Sequence, residues 1–354
     1  MSNCIRTAST LQSDSCTTRL RRRWNGRATL LGSSLLCACA LFAPTGTGPS
    51  PWPVATASTT SASLTDENKQ FSALVDGFLS ELGLHYPSET TELGLHSHDQ
   101  DLEDLTPSGV AKTLAWLADW DRRMASIDAT KLGEPERFDL TLLRHSLRSR
   151  RFVLTDLPEY RRRPIVYSGL ASRSVNAILK RNYAPLDVRL KAVVARLRKA
   201  SAIIRQAPQN LDQLSVASVD VTLRTLPATV DFFRVDVIKA FAEVKDPELQ
   251  KQLRQACEET ASALTAFGEF LKKDGRARAN PSFALGEDLF RRALFSEEMI
   301  DTPIPTLLKQ AEAELSRLRA EFQKTANLID SKRSAQDTQT VVSQDHPKPA
   351  ELID

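Results

Sequence analysis

The sequence predicts an all-α protein, and three observations carry that prediction. Glycine and aromatic residues are sparse, at 13 Gly and 6% aromatic, while Leu, Ala, Arg, Glu and Asp dominate. Apolar residues recur at three- and four-residue spacings that draw one stripe along a helix. No apolar–polar alternation runs beyond four or five residues, and no repeat of solenoid period is present. The expected architecture is a multi-helix, bundle-like array spanning residues 66–330.

The elements follow in order from Asp66. Phe71, Leu74, Val75, Phe78 and Leu82 share one face, and Gly83 is expected to close that helix in a left-handed cap. Pro87 to Leu93 reads as a short helix closed by Gly94. Thr106-Pro107 is an N-cap followed by proline at the first helical position. The helix it opens carries Val110, Leu114, Leu117 and Ala118 on one side, with Trp116 and Trp120 placed to stack along its flank. Pro135 starts a helix to about Val153, after which Pro158 and Pro164 break the chain. Asp187 to Gln206 is an amphipath with Leu190, Val193, Val194, Leu197 and Ile204 inward. Arg189, Arg196, Lys199 and Arg205 are expected mostly outward. Leu211 to about Leu226 is apolar enough to lie deep, and Pro227 permits a kink or a fresh start before Val230 to Val244. Asp246-Pro247 opens a long helix to Lys273. Pro303 opens the last long helix, with Leu307, Leu308, Ala311, Leu315, Leu318 and Phe322 as its apolar positions. Residues 331–354 read as a polar, mostly irregular tail with a short helix near Thr338–Ser343, and the ending at Pro349-Ala-Glu-Leu looks interrupted.

Upstream of the helical region the character changes. Residues 1–43 hold six arginines and one acid, net +5, whereas the whole chain is +3, leaving −2 for the remainder. Positive charge in the leader rather than in the folded part argues against nucleic-acid binding. Arg19 to Arg27 followed by the uncharged, mostly apolar run Ala28 to Ala43 suits an export signal, and is short for a membrane helix. Leu36-Cys37-Ala38-Cys39 is a poor lipobox, so a lipid anchor is the lesser expectation. Residues 44–65 are Pro, Ser, Thr and Ala without charge, the composition of a flexible tether. The chain is expected to be exported, periplasmic or extracellular, touching a membrane only through this signal or an anchor. Only Cys257 lies beyond the leader, so no internal disulfide can form after export, and Cys257 reads as a small core residue.

The stretch Thr90 to Asp104 raises the question of a metal. His96 and His98 lie two apart, with Asp99, Asp101, Glu103 and Asp104 following. On an extended segment both imidazoles would face one side. However, the H-x-H-x-D-H pattern of dinuclear hydrolases fails here, because Gln100 and Asp101 occupy its Asp and second His positions. The favoured reading is a polar connector whose acids Asp101, Glu103 and Asp104 suit the positive end of the helix opened by Thr106. The arginine groups Arg148, Arg150, Arg151 and Arg161, Arg162, Arg163 read as solvated faces paired locally with Asp139, Asp156 and Glu159. His145 is expected at a core boundary, His85 as a cap on helix-end carbonyls, and His346 in the polar tail. No two histidines are four apart, so H-E-x-x-H is excluded, and no G-x-S-x-G, Walker loop or G-x-G-x-x-G is present. No catalytic, cofactor-binding or metal-binding residue is assigned.

Several segments, in order, resemble the bacterial domain-of-unknown-function family DUF885. They are His85 to Pro107, Asp139 to Leu147 with Leu157-Pro158-Glu159-Tyr160, Leu186 to Pro208, Pro281-Ser-Phe-Ala-Leu-Gly286, Thr306 to Ala326, and Asp345-His346-Pro347 with Glu351-Leu352. The resemblance covers about 66–354 and implies an exported or lipid-anchored helical protein nearly twice this length. It implies that the C-terminal half of such proteins carries an H-E-x-x-H-type zinc site, one of two lobes around a deep cleft. Zinc-activated water would then attack a peptide carbonyl, with the motif glutamate as base. This chain matches only the N-terminal half, so no zinc ligand carries over, and Gly94 and Gly286 carry over only as turn residues. The expectation is a non-catalytic, truncated N-terminal portion, either a gene fragment or half of a split enzyme whose catalytic half is encoded separately, with that half or a peptide as its partner. The alternatives are a stand-alone exported module that binds peptides and, least favoured, a metalloenzyme built on His96 and His98.

Overall fold

The computed structural model describes residues 66–347. The expected export signal and tether (residues 1–65) and the final residues 348–354 lie outside that range. Among the described residues the fold is all-α, with one isolated parallel bridge, Ser215 to Asn280, and no strand.

Helix α1 (Asp66–His85) and α2 (Pro87–Leu93) are followed by a polar loop, and then by α3 (Pro107–Ala125) and α4 (Glu134–Thr155). Phe71, Phe78, Leu82, Trp116, Leu117, Trp120, Met124, Leu140, Leu143 and Leu147 form one core among α1, α3 and α4. The two tryptophans are inside it rather than along a flank. Trp116 stacks on Phe78 at 5.5 Å, Trp120 meets Phe78 edge-on at 5.6 Å, and both indole N–H groups donate to Glu81 Oε2. A buried indole needs an acceptor, and Glu81 on α1 supplies it.

After the short α5 (Glu159–Arg162), the second and larger core gathers α6 (Ile165–Leu179), α7 (Leu186–Asn210), α8 (Val216–Asp231), α9 (Val237–Ala240) and α10 (Pro247–Phe270). Helix α7 lies at its centre, flanked by α6 and α10. Its Leu190, Val193, Val194, Leu197 and Ile204 are fully buried, as the amphipathic pattern predicts. Cys257 is buried here on α10, and burial pushes its thiol up to about 12. The helix containing Pro227 starts at Val216 rather than Leu211, runs through the proline to Asp231 and widens into a π turn at Phe232–Asp236. Helix α10, capped by Asp246 onto Glu248 and Leu249, ends at Phe270 in a second π turn (Leu271–Gly275) and then α11 (Arg276–Arg278).

Two expected helix ends come out differently from each other. Gly94 caps α2 at φ +88, with its N–H on Thr91 and that of Leu95 on Thr90, as expected. Gly83 is not a cap, because α1 continues through it to His85. A Cβ on Gly83 would sit 2.4 Å from Cδ2 of His98. The residue is glycine because the His98 ring packs directly on the α1 backbone.

The chain then leaves the main body. Helix α12 (Glu287–Glu298), entered through Gly286 at φ +80, packs on α4. Helix α13 (Ile304–Ile329) packs on α14 (Ala335–Gln344), capped by Ser334 onto Asp337. The expected irregular tail is therefore helical over Ala335–Gln344, because Ala335 and Thr338 bury against α13.

Candidate functional site

The two cores meet at α2 and the loop after it, which is the stretch Thr90 to Asp104. The histidines there do not converge. Residues 97–100 form a turn, closed by the Asp101 N–H on the His98 carbonyl at 3.0 Å, so the two-residue period of an extended segment does not apply. His96 stacks on Tyr183 at 3.4 Å between centroids and holds Asp99 through Nδ1 at 3.0 Å. His98 faces Gly83 and holds Asp101 through its own Nδ1 at 3.1 Å. Among the described residues no group of three His, Cys, Asp or Glu side chains is placed to hold a metal.

What organises this junction is Arg196, which is 0% exposed. Its guanidinium donates to the carbonyls of Asp101 (3.0 Å), Ser174 (2.7 Å), Pro87 (3.1 Å) and His98 (3.4 Å), and to Thr91 Oγ1 (2.5 Å). One side chain thus ties α7 to α6, to α2 and to the polar loop. Desolvation lowers its pKa, opposed by the nearby carboxylates Asp99 and Glu103. Arg189 is buried as well and closes the end of α6 by donating to the carbonyls of Arg181 (3.0 Å) and Ala184 (3.1 Å). Both arginines were expected outward. They lie seven apart in phase with Val193 and Ala200, so the stripe itself carries the signal, but the carbonyls that satisfy them are distant in sequence.

The acids of the loop divide their roles. Only Asp104 serves the α3 end, accepting the Thr106 N–H at 2.9 Å beside the Thr106 cap on Gly109. Glu103 reaches back to the start of α2, accepting the Ser88 N–H at 3.1 Å and the Ser88 hydroxyl. Burial raises its carboxyl, with the Ser88 bonds opposing. Burial alone would raise Asp101 too, but Lys199 at 2.6 Å and His98 bring it below the usual range.

His85 is not a carbonyl cap: its ring stacks on Trp116 at 4.6 Å and its Nδ1 meets Thr113 Oγ1 at 3.1 Å. His145 lies part-buried, lowered by that burial. Arg150 forks onto Glu89 of α2 at 2.8 and 2.5 Å and lies over Tyr86 at 4.3 Å, and Arg161 pairs with Asp212. These partners are long-range rather than the local acids expected, although Arg163 does pair with Glu159. Asp156 binds Arg292 of α12.

The largest unsatisfied feature is apolar. Leu308, Ala311, Leu315, Leu318 and Phe322 follow alternating steps of three and four along α13, and all five are exposed, Leu308 at 59%. Of the 26 residues of α13 only Ala326 is buried. Leu328 (79%) and Ile329 are exposed further along α13, and Phe283, Phe290, Phe295 and Met299 are exposed on and around α12. Complete burial of such a side chain is worth about 1.5–3 kcal/mol. Covering the half-exposed Leu308, Leu315, Leu318, Phe322 and Ile329 would therefore contribute about 5 kcal/mol of burial energy toward offsetting the cost of association.

The fold and its junction define an all-helical class that solved structures contain. A structure from Shewanella oneidensis, described as a "putative lipoprotein of unknown function", superimposes with a TM-score of 0.65 at 21% identity, over 79% of this chain and 50% of that one. The chain thus spans about half the length of that neighbour. Residues 87–353 match the family model "Bacterial protein of unknown function (DUF885)", and the chain belongs to that family. No curated protein matches. Among the described residues no helix is long and apolar enough to cross a membrane.

Proposed function

We propose that this chain is the N-terminal, non-catalytic portion of an exported, zinc-peptidase-like protein of this family. It forms one wall of a peptide cleft, and the other half packs on the apolar face of α13. The uncovered stripe on α13 is the observation that carries the reading. Soluble monomers seldom expose contiguous apolar patches beyond a few hundred Å², and here a stripe of about four turns lies open along α13. The double length of the Shewanella neighbour supports it, as does that protein's description as a lipoprotein for the exported location. The described residues take positioning roles alone: Arg196 locks the wall together, and no step of peptide hydrolysis is assigned to them. A stand-alone peptide-binding module would be expected to close the α13 face with polar residues, so that alternative is the weaker one.

The test supplies the other half as a separately expressed family C-terminal lobe that carries H-E-x-x-H. It should co-purify with this chain and cleave peptides in a zinc-dependent way only when both are present. Phe322→Glu with Leu318→Glu should abolish the association. No association, or an association indifferent to that double substitution, would overturn the proposal.

A further inference from the structure

Four arginines of α4 stand without an ion-pair partner among the described residues. Arg137, Arg144, Arg148 and Arg151 are all exposed. Arg148 lies over Phe295 at 5.2 Å and still faces solvent. At about 100° per residue the four fall within about 60° of one another around the helix axis, and they span about 21 Å along it. The acids of α4 do not offset them. Glu134 stands at the foot of the helix, Glu136 is buried, Asp139 lies on the opposite side, and residues 141–155 contain no acid. Glu298 of α12 faces His145, about 100° round the helix from Arg144. Arg144 and Arg148 are four apart and Arg148 and Arg151 three, spacings at which like charges repel. An anionic surface laid against this flank relieves that repulsion.

The point where the chain enters the fold is the second observation. Asn68 Oδ1 accepts the N–H of Gly133 at 3.2 Å, and Glu67 Oε1 accepts that of Asp128 at 3.0 Å. The start of α1 is thus held at the foot of α4, about one turn from Arg137. Everything upstream, including the apolar run Ala28 to Ala43, joins the fold there. Phe138, next to Arg137, is exposed as well. We propose that this arginine flank seats the folded chain on a membrane surface carrying anionic phospholipid, with Phe138 at the level of the headgroups. The proposal rests on the exported reading above, in which the leader brings the chain to a membrane. A planar guanidinium matches a phosphate bidentately. A single apolar attachment to a bilayer is marginal, and a basic patch is the second signal that makes it stable.

Vesicle co-sedimentation of the full chain tests this without peptide, zinc or a second half, so its failure is distinct from a failure of the proposed function. In every protein compared, the six leader arginines are replaced by glutamine. The net charge is then negative, so attraction to an anionic vesicle has to come from a local patch. The probes are vesicles of phosphatidylcholine alone and of phosphatidylcholine mixed equally with phosphatidylglycerol. Binding should be stronger to the anionic vesicles and should fall as salt is raised. Each basic side chain near an anionic surface is worth about fivefold in binding, so Arg137→Gln, Arg144→Gln and Arg151→Gln together should weaken it about a hundredfold. The control is Arg205→Gln, Arg224→Gln and Arg254→Gln, which removes the same charge from exposed positions on α7, α8 and α10. It should weaken binding less than about fivefold. Equal binding to the two kinds of vesicle overturns the proposal, as does an equal loss in the two triple variants. Binding of poly-L-glutamate but not of the anionic vesicles also overturns it, in favour of an acidic protein partner.

Discussion

Arg196→Ala is the substitution with the largest expected consequence. The guanidinium makes contacts to five oxygens on three different parts of the chain, all inside the protein. Its removal takes a donor from the carbonyls of Ser174 and Asp101 and strips the buried Asp99 and Glu103 of their nearby positive charge, while the Pro87 carbonyl keeps the hydroxyls of Thr90 and Thr91. A single unsatisfied buried polar group costs about 1–3 kcal/mol. Breaking a buried charge network by deleting one partner costs about 3–5 kcal/mol. These overlap, so the sum is not additive, and a loss of about 4 kcal/mol is expected. Against a total stability of about 5–15 kcal/mol, that loss moves a urea midpoint well outside experimental error. The assay is urea unfolding followed by far-UV circular dichroism, with amide exchange resolving residues 87–105. Exchange there should accelerate first, because Arg196 is what pins α2 and the loop to α6 and α7. Arg196→Lys should recover only part of the loss, since an ammonium offers three donors and cannot span the same fork. Lys199→Ala is the control: its pair with Asp101 is half-exposed, and about 1 kcal/mol or less should be lost. An Arg196→Ala protein as stable as the Lys199→Ala protein would refute the reasoning.

Gly83→Ala should destabilise the chain despite the roughly 1 kcal/mol that alanine gains over glycine in a helix. The added methyl meets the His98 ring, and the double variant Gly83→Ala, His98→Ala should recover stability in a thermal melt. Burial depresses the pKa of His85, with Glu81 opposing, so the folded state holds a neutral ring. Its contribution to stability is complete above the unfolded value of 6.5 and is lost as pH falls through that value toward the lower folded one. A stability–pH profile should flatten over that window in His85→Gln. Leu315→Glu with Phe322→Glu should leave the urea midpoint of the isolated chain nearly unchanged while reducing dye binding and self-association, because both residues are exposed. A large loss of stability there would show that α13 is already packed.

Much of the local structure was legible from residue order. Thr106, Asp246 and Gly94 cap where their chemistry places them, and the inward faces of α1, α7 and α10 follow from spacing alone. A cap acts on the next three residues, and a helical stripe repeats every turn, so both are readable within a short window. The family relation was legible as well, since it rests on ordered short segments. The junction was not. His96 and His98 look like a ligand pair until the turn at residues 97–100 sends one ring to Tyr183 and the other to Gly83.

Composition, punctuation and periodicity by themselves determined that this chain is helical, where the helices opened by Pro87, Thr106, Asp246 and Pro303 begin, and which of their faces are apolar. Tertiary structure alone decided which apolar faces find a partner and which polar groups are satisfied. Leu190 on α7 and Leu315 on α13 both sit on apolar helical stripes, yet one is sealed and the other open to water. Arg196 and Glu103 belong to polar-looking surfaces, yet both serve backbone groups brought to them by α2. The physical reason is range. Helix propensity and capping are local, whereas burial and hydrogen-bond satisfaction depend on segments a hundred residues apart meeting in space.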